Sequence, residues 1–176
     1  MILINAAKHF ITITKHKLIV FKLCCKTGQP WRGFMHDWSK YSPTEFWESA
    51  KYYTGKFSPI HACRKINGYS KAWLHHKGRN KHHYEYWVDN FDKGGEPLQM
   101  PYKDAVEMLC DYLGAGRAYM GKDFSYRKEL EWWYKKCEKP IAMHSQTKMY
   151  ITNTFSTLIK IPDSNLATIY YTAISF

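Results

Sequence analysis

Apolar residues near the start of the chain recur at helical spacing. Over residues 4–26 one stripe runs Ile4, Ala7, Ile11, Leu18, Phe21 and Cys25, and a second runs Ile13, Val20 and Leu23. Two apolar stripes on one segment predict a helix buried over most of its surface. His9 and His16 fall on the second stripe. Thr27-Gly28-Gln29-Pro30 closes the helix, with Gly just past the last turn and Pro beyond it.

The later pattern predicts further helices and no repeat. Residues 31–40 read as a short helical segment ending in His36-Asp37. Ser42-Pro43-Thr44-Glu45 is a strong start signal: Ser42 caps, Pro43 suits the first helical position, and Glu45 completes a capping box. That helix should run to about residue 53, and 55–68 reads as a loop or short irregular segment. Helical character resumes near residue 69, carries Trp73, His75 and His76, and breaks at Gly78-Arg79-Asn80. Asn80 is a candidate cap for a helix bearing His82, His83 and Trp87. Residues 89–99 read as a loop. Pro101 opens a helix to about residue 119 with Ala105, Met108, Leu109 and Tyr112 toward the core, weakened late by Gly114 and Gly116. Amphipathic helices are expected over 124–138 and 147–160. The expected organisation is one all-α domain over residues 1–160, with 161–176 a C-terminal tail.

Composition narrows the class. A chain of 176 residues suits one domain with a sizeable core, and 17% aromatic residues should supply much of the buried area. The net charge of +11 favours anionic partners: nucleic acid, nucleotide phosphates or an anionic membrane surface. The five cysteines are odd in number, include the adjacent Cys24 and Cys25, and form no CxxC. That usage reads as reduced thiols in a cytoplasmic protein. No apolar run reaches the roughly 18 residues of a membrane span, and no signal peptide is expected.

The candidate chemistry centres on His36-Asp37-Trp38-Ser39-Lys40. A His-Asp pair alone is common. Here it stands with His16 upstream, the pairs His75-His76 and His82-His83 downstream, and Asp111 on the helix after them. Imidazole and carboxylate together suit one or two divalent ions of Mn, Fe, Zn, Co or Ni. Neighbours on a helix point about 100° apart, so one histidine of each later pair is expected to ligate. Asp104, Glu107 and Asp111 share a helical face, where three carboxylates need nearby cations. Glu107 can support a liganding histidine from behind. Lys40, Arg79 and Lys81 are candidate phosphate contacts, against the plainer reading of solvated basic residues. Glu45 and Glu85 read as capping and surface residues.

In the order His16, His36-Asp37, a later His, another His and Asp111, the chain resembles the HD superfamily of metal-dependent phosphohydrolases. The version with two intermediate histidines is similar to the dinuclear members. HDWSKYSPTEF, HHKGRNKHHYEYW and MPYKDAVEMLCDYLG together resemble, more closely, an uncharacterised family of bacteria and phages, over about residues 8–160. The doubled histidines depart from the HD pattern and leave its third and fourth ligands open.

The resemblance implies an HD-like helical bundle in which Asp37 bridges two metals. It also implies hydrolysis of a phosphate ester on a nucleotide or related small anion, with Asp37 and Lys40 at the centre of the chemistry. Three other readings stand beside it: a di-iron oxygenase with a similar ligand set, a nucleic-acid-binding protein with a structural metal, and a nuclease.

Overall fold

A computed structural model describes residues 2–160, so the expected tail at 161–176 lies outside the described residues. Eight α-helices are described: α1 Ile2–Lys26, α2 Pro30–Met35, α3 Pro43–Lys51, α4 Pro59–Asn67, α5 Lys71–Lys77, α6 Tyr102–Met120, α7 Tyr126–Cys137 and α8 Ser145–Lys160. The only sheet among the described residues pairs β1 (Val88–Asp89) antiparallel with β2 (Glu96–Pro97). The protein is therefore all-α, as its periodicity predicts. No described helix is long and apolar enough to cross a membrane.

Helix α1 packs along α6, α2 and α3, while α7 and α8 pack on each other and cover the far side of α6. The core joins Val20 and Leu23 of α1 to Val106, Met108, Leu109 and Leu113 of α6, and these to Trp133 and Phe155. Fully burying an aliphatic or aromatic side chain contributes roughly 1.5–3 kcal/mol, so this seam dominates the stability. All five cysteines are free thiols, and Cys24, Cys63 and Cys110 are buried.

The expectation of a mostly buried α1 is overturned. Only the stripe carrying His9, Ile13, His16, Val20 and Leu23 faces inward. On the richer stripe Ile4, Ile11 and Leu18 remain 61%, 65% and 56% exposed. Hydrophobicity alone picks the wrong face, because the inward face holds two histidines, of which His16 meets buried acids.

Two local readings also change. Residues 55–68 contain α4, with Pro59 in its first turn and Gly68 closing it at φ +79°. Residues 82–87 form no α-helix: a 3-10 turn spans Tyr84–Trp87. Asn80 caps nothing there, and its amide donates instead to Ser39 Oγ at 2.9 Å and to the His76 carbonyl at 2.8 Å.

The helical glycines of α6 mark close approaches. A Cβ at Gly114 would lie 2.5 Å from Val20 Cγ2 and 3.5 Å from His16 Cε1, so the bare backbone is what lets α6 close on α1 beside that histidine. A Cβ at Gly116 would collide with the Glu129 carboxylate of α7. Glu129 is buried there, and burial pushes its carboxyl from 4.5 up to about 7.

The folded chain thus holds the Glu129 proton more tightly than the unfolded chain. Stability should fall as pH rises from about 4.5 through about 7 and level off above that. Glu129→Gln should remove this part of the slope, raising the melting temperature at pH 8 and leaving it near wild type at pH 4. Melting curves across that range check it, and an unchanged slope contradicts it.

Candidate metal centre

Helix α2 ends at Met35 because the chain turns sharply there. His36 leaves the helix in an extended conformation, and Asp37 takes the left-handed region at φ 57°. Asp is among the few non-glycine residues that adopt it readily. A 3-10 turn over Trp38–Tyr41 follows. The break frees both side chains of the pair to point the same way, which an unbroken helix would forbid.

Asp37 is buried at the meeting point of two groups of side chains. On one side Asp37 Oδ2 lies 3.6 Å from His16 Nε2 and 3.2 Å from His36 Nε2. Asp111 Oδ1 completes this group, 3.0 Å from His16 Nε2 and 3.5 Å from His36 Nε2. On the other side Asp37 Oδ1 lies 3.3 Å from His76 Nε2 and 3.4 Å from His82 Nε2. His83 adds a nitrogen to this second group, whose ligand atoms all lie within 4.8 Å of one another. Two donors about 2.1 Å from one ion sit roughly 3–3.5 Å apart in octahedral or tetrahedral geometry, so these spacings fit a metal.

Hydrogen bonding behind the imidazoles fixes which nitrogen faces inward. Glu107 Oε1 lies 3.0 Å from His36 Nδ1 and 3.2 Å from His82 Nδ1. Glu45 Oε2 lies 2.8 Å from His76 Nδ1. A carboxylate accepts and cannot donate, so each of these Nδ1 atoms carries a hydrogen, and in the neutral ring Nε2 presents a lone pair to the centre. His36, His82 and Glu107 could themselves be read as a third ligand group. Their mutual hydrogen bonds already use the same atoms, which makes Glu107 a support.

The inward-facing atoms are left without hydrogen bonds. Nε2 of His16, His36, His76, His82 and His83, with Asp37 Oδ1, are buried and have no hydrogen-bond partner, and Asp37 Oδ2 has none beyond its contact with Lys40. Lone pairs and carboxylate oxygens facing each other at these distances repel unless positive charge lies between them. A metal supplies it at the cost of no extra proton, and the donor set suits first-row divalent ions.

The charges follow the geometry. Burial opposes ionisation of Asp37, but His36 and Lys40 outweigh it and hold the carboxyl well below its ordinary range. Asp111 is held down against burial by the neighbouring His16 and His36. Burial likewise opposes ionisation of Glu107, yet hydrogen bonds from His36 and His82 bring it to about 2. Burial and the neighbouring His82 and His76 push His83 well down, so it stays neutral.

The remaining expected residues fall into place unevenly. His75 is not in the cluster; its Nδ1 lies 2.6 Å from Glu45 Oε1 and the ring is partly exposed. Of the later pairs, the structure brings in His76 but not His75, and both His82 and His83, because the 82–83 turn is not helical. His9 is buried between Phe46 and Tyr53, outside the ligand groups, and burial lowers it to about 4.

Lys40 Nζ contacts Asp37 Oδ2 directly. Arg79, Lys81, Trp31, Arg32 and Met35 line a cleft of about 350 Å³ that reaches His82 and Glu107. Arg32 is also the cation that the acidic face of α6 requires, at 2.6 Å from Asp104 and 3.1 Å from Glu107.

Glu45 is the residue that sequence reasoning missed. Its backbone N–H donates to Ser42 Oγ at 3.4 Å, but its carboxylate turns inward to His75 and His76. An acid three residues after a cap is ambiguous between the two roles. Only its position across from the His75-His76 pair decides.

Removing a carboxylate that orients a liganding histidine typically costs 10–100-fold in metal affinity. Glu107→Gln and Glu45→Gln should each weaken Mn2+ or Zn2+ binding about that much, with circular dichroism unchanged, as read by calorimetric titration. Wild-type affinity in both variants would contradict the supporting roles.

Comparison with known proteins gives one family match. The model of a family of unknown function, DUF5662, covers residues 5–157. No curated protein and no solved structure matches. The family match spans nearly the whole described chain and every residue of the cluster from His16 to Asp111, and the protein belongs to this family of unknown function, DUF5662.

Proposed function

We propose that the protein is a metal-dependent phosphohydrolase of HD type with a dinuclear centre bridged by Asp37. The supporting observation is the divided environment of that carboxylate: Oδ2 faces His16, His36 and Asp111, while Oδ1 faces His76, His82 and His83. This follows the HD ligand order with two intermediate histidines, and His83 is an addition to it. When bound, two divalent ions would supply a water acidic enough to attack near neutral pH and a Lewis-acid clamp on phosphoryl oxygens.

The chain's own groups supply the rest. Hydrolysis bonds the water oxygen to phosphorus, breaks the ester P–O bond and leaves that ester oxygen to take up a proton. Lys40, beside Asp37 Oδ2, is the cation placed to offset charge on the phosphoryl group. Burial opposes its charge, but Asp37 keeps the ammonium protonated well past neutral pH. Arg79 and Lys81 are exposed at the mouth of the cleft over His82, where an anionic substrate would enter. The nitrogen-rich donor set is equally suited to iron, so the oxygenase reading is an outcome of the test.

Metal analysis of the purified chain, followed by a panel of phosphoesters and nucleotides, tests the proposal. Wild type should carry two divalent ions and hydrolyse at least one ester. Asp37→Ala and His36→Ala should lose both metal and turnover while staying helical. Lys40→Ala should keep its metal and lose about 100-fold or more in kcat. Full metal occupancy in Asp37→Ala, or a mixed-valent di-iron signal with no phosphoesterase activity, would overturn it.

A further inference from the structure

Five aromatic rings form a continuous strip on the surface beside the cleft. Their centroids follow one another at 5.6 Å from Trp31 to Phe34, 6.2 Å to Trp38, 5.8 Å to Tyr41 and 5.8 Å to Phe10. The strip is open to solvent: Trp31 is 70% exposed, and Phe34, Trp38 and Phe10 are each close to half exposed. A ladder of bare rings is costly to leave in water unless something covers it.

Two of the rings, Trp38 and Tyr41, are also held in place. Trp38 Nε1–H donates to the Phe34 carbonyl at 3.0 Å. Lys17 Nζ donates to the carbonyls of Phe34 and His36 at 2.6 and 2.5 Å, and lies 4.8 Å from the centre of the Trp38 ring. The Tyr41 hydroxyl is 3.1 Å from Thr14 Oγ1. Pinned rings lose little freedom when a flat ligand stacks on them.

We infer that this strip is a track for single-stranded nucleic acid, whose bases stack on the rings while a backbone phosphate enters the metal cleft. The inference rests on the phosphoester reading of that centre and names its substrate class. Trp31 belongs to both features: it begins the ladder and lines the cleft with Arg32, Arg79 and Lys81. Stacking platforms beside basic side chains are the usual means of holding single strands without reading their sequence. A net charge of +11 suits the same polyanion.

The exposed stripe of α1, with Ile11 and Leu18 beside Lys15 and Lys22, borders the strip at Phe10 and offers a rival occupant in an anionic membrane surface. A lipid surface would give no reason for the rings to lead into the cleft, and nucleic acid does.

Fluorescence anisotropy with a labelled oligothymidylate of roughly twelve nucleotides tests this on the full, metal-loaded chain. Binding should fall steeply with added salt. Trp31→Ala and Phe34→Ala should each weaken it about tenfold, with metal content at the wild-type level.

Wild-type binding in both ring variants, or binding to phosphatidylserine vesicles with none to the oligonucleotide, would overturn the track. Turnover of a small ester with ring-independent binding would sink the track alone. Ring-dependent binding by a chain that takes up no metal would support the track and sink the phosphoester reading.

Discussion

Repulsion among buried lone pairs is the constraint on which the structure turns. Four of the nine histidines present Nε2 to the two oxygens of one buried aspartate, His83 adds a fifth nitrogen, and apart from the Lys40 contact the facing Nε2 and carboxylate atoms have no hydrogen-bond partner. Unpaired buried polar groups cost free energy singly, and a cluster of like-signed ones compounds the cost. Protonating some imidazoles relieves part of it, and His36 is raised well above its ordinary range because Asp37 and its hydrogen bonds outweigh burial. A buried group of this size cannot carry five protons at once, whereas two divalent ions would satisfy every inward atom together.

The rest of the fold holds that cluster rigid. Gly114 lets α6 approach α1 at His16, and Gly33 does the same for α2 against α1, where a Cβ would lie 2.6 Å from Cys24 Cβ. Arg32 neutralises Asp104 and Glu107, so the acidic face of α6 can be buried. Glu45 and Glu107 then steer three imidazoles from behind. Stability and site preparation share residues here: the acids that would destabilise a bare core are those that orient the histidines.

Much of this was legible in the sequence. The order of His16, His36-Asp37, the later histidines and Asp111 is in the primary structure, as are the Gly28 and Ser42 signals that end one helix and start another. The grouping of Asp104, Glu107 and Asp111 follows from helical spacing alone. What was not legible depended on partners distant in sequence. The inward face of α1 could not be chosen by hydrophobicity, because it carries His16, buried against Asp37 and Asp111, and His9, buried against Phe46 and Tyr53. Asn80 and Glu45 looked like caps because their local context permits it, while their side chains bond to Ser39, His75 and His76. The doubled histidines resolved only once 82–83 proved to lie in a turn, where neighbouring side chains need not diverge as they do on a helix.

The division of Asp37 between two ligand groups is the claim that everything functional rests on. Anomalous scattering from a crystal of the manganese-loaded protein measures it directly. The account predicts two peaks about 3.5–4 Å apart, one toward His16, His36 and Asp111 and the other toward His76, His82 and His83, with the Asp37 carboxylate between them. A single peak bound by one group, or peaks that do not touch Asp37, would contradict it.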